Sequence, residues 1–146
     1  MSQPPLRVLF LTPYYKPYLG GIERVIERLS AGMLRRDDIE AVGVLTTHYE
    51  FPRHWTEGLA SRERMDGGVE IIRLPAWPKA APPYFSVPLV WFPPRAIRDA
   101  IAAFRPSVLH WVGDGWFWGH YFSARYAGSE TAVVFSPSFH TLTRDK

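Results

Sequence analysis

Gly20-Gly21 stands directly before a run of residues at helical spacing: Ile22, Val25, Ile26, Leu29 and Met33. Glycines at the start of a helix have no Cβ to hold a phosphate away, and the unpaired N–H groups and dipole of the helix end favour an anion. The pair is a candidate phosphate seat. A tight turn feeding a helix would use the same residues. The glycines needed for a dinucleotide fingerprint are absent, as is the Gly-Lys-Ser/Thr of a P-loop. His140 lies in a loop, where its ring could bond a sugar hydroxyl or assist proton transfer, or simply be a packed or surface histidine. Asp114 could hold a substrate hydroxyl, although Asp114-Gly115 is also an ordinary turn pair.

Metal chemistry has little to work with. The chain has no Cys, and His48, His54, His110 and His120 form no pair with helical ligand spacing, so no metal site is expected. Aromatic residues crowd two segments. Trp111, Trp116, Phe117, Trp118, Tyr121 and Phe122 follow one another without a Lys or Arg, and Tyr84, Phe85, Trp91 and Phe92 sit in a proline-rich stretch. A helix buries one stripe, so Trp116, Phe117 and Trp118 cannot all enter the same core. Either the two segments pack on each other, or Trp116 and Trp118 edge a surface for an apolar or lipid-linked acceptor or for a membrane interface.

The elements that would position these residues alternate in type. The apolar run 7–11 reads as a central strand covered on both faces. A loop over 13–21 and a helix to Leu34 follow it, then a strand over 41–46, which makes a strand–helix–strand opening with a right-handed crossover. Residues 69–74 read as a third strand, with Glu70 and Arg73 pointing to a place near a sheet edge. Residues 75–93 are too rich in proline for helix and read as a long loop. Pro94 opens a helix burying Ile97, Ala100, Ile101 and Phe104, and Pro106 ends it. A strand over 108–112, a helix over 117–127 closed by Gly128, and a strand over 132–136 complete the pattern. The expected fold is α/β, a Rossmann-like doubly wound, mainly parallel sheet with helices on both faces. Ligands of such sheets bind beyond the carboxyl ends of the strands, which selects the loops 12–21, 111–119 and 136–143.

The totals agree with one domain. The 146 residues are 47% hydrophobic and 21% charged, ordinary for a folded domain and unlike a disordered tail. A formal charge of +3 from dispersed residues gives little reason to expect nucleic-acid binding. The absence of Cys suits a reducing cytoplasm, and the N-terminal residues lack the basic lead and apolar core of a signal peptide. The uncharged stretch 80–94 is too short and too rich in proline to span a bilayer. A cytoplasmic protein, free or resting on a membrane, is expected.

Taken together, the motifs resemble a known family. Leu11-Thr12-Pro13-Tyr14-Tyr15, then Pro17, Gly20-Gly21-Ile22-Glu23-Arg24 and the helix after them, resemble the opening of family-four glycosyltransferases. Ser107-Val108-Leu109-His110-Trp111 resembles that family's Asp-hydrophobic-hydrophobic-His strand, with Ser107 in the place of Asp. Ala132-Val133-Val134-Phe135 followed by Phe139-His140-Thr141 is similar to its next strand and His-bearing loop, with Ser136-Pro137-Ser138 lengthening the connection. The three blocks occur in family order and extend over essentially the whole chain.

The resemblance implies the N-terminal, acceptor-side half of a GT-B enzyme that transfers a sugar, with retention, from a nucleotide-sugar donor to a sugar or lipid-linked acceptor. It implies that Gly20 and Gly21 approach the donor diphosphate, that His140 faces the transferred sugar or the acceptor, and that no cofactor is needed. It assigns no general base. Nucleotide and sugar would be held by a C-terminal domain with a basic pair and two Glu with seven residues between them, a spacing that does not occur among these residues. The chain is therefore expected to be incomplete and inactive alone. Two other readings stay open: a fragment of an NAD-type Rossmann enzyme, and a non-catalytic module that binds a glycan or a protein.

Overall fold

In the computed structural model the described residues are 4–17, 19–48, 59–75, 77–79, 89–91, 93–113 and 125–137. The elements are β1 (Leu6–Leu11), α1 (Gly21–Met33), β2 (Ile39–Thr47), β3 (Arg62–Arg64), β4 (Glu70–Leu74), β5 (Trp77–Lys79), β6 (Leu89–Trp91), α2 (Pro94–Phe104), β7 (Val108–Val112) and β8 (Ala132–Ser136). Six strands form one sheet in the order β3-β4-β2-β1-β7-β8. All neighbours in it are parallel except β3, which runs antiparallel along β4. From β1 the sheet grows through β2 to β4 on one side and through β7 to β8 on the other, as in a doubly wound sheet.

Each face of the sheet has its own apolar cluster. Val8, Phe10, Val42, Val44 and Ile71 face α1 through the fully buried Ile26. The alternate residues Leu9, Leu11, Leu45, Leu109 and Trp111 meet Ile97, Ala100, Ile101 and Phe104 of α2. Burial on both faces explains why β1 reads as an unbroken apolar run. α2 begins at Pro94, whose missing N–H costs nothing there, and closes on Arg105 in the left-handed conformation, whose N–H donates to the Ile101 carbonyl. Gly43 is needed where α2 crosses β2. A Cβ on it would lie 2.6 Å from Phe104 Cε2.

Two expectations need correction, and one strand was not foreseen. The stripe assigned to α1 is only partly buried: Ile26 is in the core and Ile22 and Met33 pack beside it, but Val25 and Leu29 are exposed, while Glu23 and Ser30 are buried. The stretch 75–93 contains the antiparallel β5–β6 ribbon as well as loop. β3 escaped notice because Arg62-Glu63-Arg64 has no apolar alternation, and its charges suit an edge strand. β4 does lie near a sheet edge, as Glu70 and Arg73 suggest, one strand in from it, but the Arg73 side chain is buried, 1% exposed. The opposite edge is of another character, since Val133, Val134 and Phe135 of β8 are exposed and the strand carries no charge. Of the helix expected over 117–127, Arg125 and Tyr126 are helical, and residues 117–124 lie outside the described set.

Candidate functional site

The sheet reverses its direction of growth between β1 and β7, so the carboxyl ends of these two strands frame the place where a ligand of such a fold would enter. On the β7 side the chain turns at Gly113, whose φ of 135° excludes an ordinary side chain. Its N–H donates to the Ser136 carbonyl at 3.1 Å, and Ile22 Cδ1 is 3.5 Å from where a Cβ would lie. The first turn of α1 therefore rests against the end of β7.

Gly20 caps α1 in an extended conformation, and Gly21 is the first helical residue. Neither has a positive φ, and a Cβ on Gly21 would meet nothing within 4 Å. Among the described residues, neither the backbone nor packing demands glycine at position 21. Glu23, three residues after the cap, accepts hydrogen bonds from the N–H groups of Gly20 and of Glu23 itself, the Glu half of a capping box. Among the described residues, no carbonyl one turn back accepts the N–H of Gly21 or Ile22. Burial raises the Glu23 pKa above its ordinary 4.5, with the two backbone bonds opposing. An anion arriving at this helix end would favour the protonated form further, so the resident carboxylate can be neutralised rather than expelled.

The loop leading to Gly20 is braced from below. Thr47 Oγ1 donates to the Pro13 carbonyl at 2.8 Å, Arg73 Nη2 donates to the Lys16 carbonyl at 3.0 Å, and Lys16 Nζ meets Glu27 at 2.5 Å. Arg73 also donates to the Ala60 carbonyl at 3.0 Å and pairs with Glu63 at 2.5 Å, so one buried guanidinium ties the loop to β3 and β4. Tyr15 is buried over the same region. Burial, then Glu27 and Glu23, push its hydroxyl up to about 12, so it stays a neutral donor. His48, at the end of β2, is held below 6.5 by burial and by the Arg73 charge, against a backbone bond to Arg73.

His110, in the middle of β7, brings its Nε2 to 2.9 Å from Ser136 Oγ and its ring to 5.2 Å from that of Phe10. Burial lowers its pKa below 6.5, which favours the neutral ring. Ser107 accepts the Arg7 N–H at 3.1 Å and so ties β1 to the start of β7. Among the described residues no three His, Asp or Glu are placed to hold a metal ion, and no helix is long and apolar enough to cross a membrane.

Of the residues singled out from sequence, Gly20 and Gly21 thus lie at the switch point, while Asp114, Trp116, Trp118 and His140 are outside the described residues. Sequence reasoning missed the bracing by Thr47 and Arg73 and the capping role of Glu23. For Glu23 a signal existed, since Glu three residues after a cap opens many helices. For Arg73 none did, because its partners come from residues 16, 60 and 63. Comparison of the chain with protein-family models, with curated proteins and with solved structures gives no match.

Proposed function

We propose that this chain is the acceptor-side half of a nucleotide-sugar-dependent glycosyltransferase of GT-B architecture, acting with retention and inactive without its donor-side half. The observation that carries the reading is Gly21. It opens a helix beside the switch point of a mainly parallel sheet, yet the space around its Cα is open and its conformation suits any residue. A glycine required by nothing among the described residues is accounted for by something else that comes close, and a helix N-terminus suits a diphosphate. The order of motifs similar to family-four glycosyltransferases supplies the chemistry.

In this reading the amides of Gly21 and Ile22 stabilise charge developing on the departing diphosphate, and the braced loop holds them in place for it. His140 faces the transferred sugar, and Asp114, Trp116 and Trp118 contribute to the acceptor side. Binding and turnover are measured in a protein that joins this chain to its donor-side half. There Gly21→Asp is expected to raise the Kd for the nucleotide sugar about tenfold, about 1.4 kcal/mol, since a carboxylate would occupy space meant for phosphate. Unchanged affinity in a folded variant would return the glycine pair to a plain loop. Sugar transfer by the purified 146-residue chain alone would overturn the two-half reading.

A further inference from the structure

Thr12, Thr46 and Arg73 stand in one row across three adjacent strands. Thr46 and Arg73 are register partners in β2 and β4. Leu11 pairs with Leu45, and the Thr12 N–H continues that ladder by donating to the Leu45 carbonyl at 3.1 Å. Alternation along the strands puts all three side chains on the face that meets α1, because Phe10, Val44 and Ile71 one row earlier belong to that face. All three residues are buried. Among the described residues, Thr12 Oγ1, Thr46 Oγ1 and Arg73 Nε have no hydrogen-bond partner.

A single buried hydroxyl without a partner would be an isolated cost. Three such atoms on consecutive strands of one row call for a common partner, since buried polar groups are nearly always satisfied. None of the three atoms bonds another of them, and strands about 4.8 Å apart leave room between neighbouring side chains of a row for one small bridging molecule. Its chemistry follows from what surrounds it. The Arg73 charge is already matched by Glu63, and its other N–H groups donate to the Lys16 and Ala60 carbonyls, whose oxygens would repel an anion. The guanidinium itself excludes a cation.

We infer that one water molecule is bound inside the protein here, held by Thr12 Oγ1, Thr46 Oγ1 and Arg73 Nε. The water accepts from the Arg73 Nε–H and from one threonine hydroxyl and donates to the other threonine oxygen, within the two to four bonds usual for buried water. Because Arg73 also grips the Lys16 carbonyl, the water and Arg73 form one clamp beneath the loop that leads to Gly20. The inference does not depend on the functional reading.

The sign of one substitution tests it. Thr46→Val keeps the shape and removes the hydroxyl. If the hydroxyl holds water, the melting temperature of the chain falls by about 2–4 °C, and Thr46→Ser stays near wild type. Adding Thr12→Val then costs little more, because the water has already been lost. A rise in melting temperature with Thr46→Val, as expected on deleting an unpartnered buried hydroxyl, would overturn the inference. So would full additivity of the two valines, or a melting temperature that depends on chloride at constant ionic strength, which would mark an anion. Should the variants fail to fold, a crystal structure of the unaltered chain decides: a water peak within hydrogen-bond distance of all three atoms supports the site, and none there refutes it.

Discussion

Gly43→Ala is expected to destabilise the protein although it adds a single methyl group to a strand. The new Cβ would lie 2.6 Å from Phe104 Cε2 and 3.0 Å from both Phe104 Cζ and Leu9 Cδ1. Ordinary contact begins near 3.4 Å, so the Phe104 ring would have to retreat by most of an ångström. It has little room to do so. Phe104 is buried, the Arg7 guanidinium sits 4.9 Å from its ring centroid, and its carbonyl accepts from Arg7 Nε and Nη2 at 3.0 and 2.8 Å. Overpacking of this kind costs about 1–3 kcal/mol. The smaller conformational freedom of alanine in the unfolded chain returns about 0.4–1 kcal/mol. The net loss is thus about 1–2 kcal/mol, or about 3–6 °C in melting temperature for a chain of this size. Phe104→Leu opens space at the same place, so the double variant should lose about 1 kcal/mol less than the two single losses combined. Urea denaturation followed by circular dichroism reads both numbers. An unchanged midpoint for Gly43→Ala, or strict additivity in the double variant, would refute the contact between α2 and β2.

Acidification should weaken the fold. His48 and His110 are held below 6.5 when folded, so as pH falls through 6.5 the unfolded chain takes up protons first, and stability present above that pH is lost towards the lower folded values. The urea midpoint should be lower at pH 5.5 than at pH 7.5, and His110→Gln should shrink the difference; Glu23, whose raised pKa acts in the opposite sense, is common to both proteins. Arg73→Met should cost about 1–3 kcal/mol through the lost bonds to the Ala60 and Lys16 carbonyls and Glu63, and should speed amide exchange over residues 14–17, which a purely local defect at β4 would leave alone. If Trp116 and Trp118 edge an acceptor surface, replacing both with Ala in the two-half enzyme lowers acceptor or liposome binding and spares donor binding; loss of folding alone would assign them to packing instead.

The parts of the fold legible in sequence were those set by short-range periodicity. β1, α2 and β7 carry their burial in their own residue order, and Pro94 and Pro106 mark where α2 starts and stops. α1 was legible as a helix but not as a face, because Glu23 and Ser30 are buried for reasons of capping and position while Val25 and Leu29 are exposed. Gly20 and Gly21 were visible as a candidate because glycine before a helical run is a local signal. Arg73 was not, because a buried guanidinium is written in the sequence like an exposed one, and only partners up to 57 residues away distinguish them.

The central strand is also the first part of the sheet to be synthesised. β1 pairs early with β2, but its other side must wait for β7, and the bond from the Arg7 N–H to Ser107 Oγ spans 100 residues. At about 5–20 residues per second, a ribosome needs about 5–20 s to supply that partner. For that interval the apolar strand Val8-Leu9-Phe10-Leu11 has one open edge and no α2 on its second face, so the nascent chain is most exposed to misassociation, and most in need of a chaperone, before residue 108 is made.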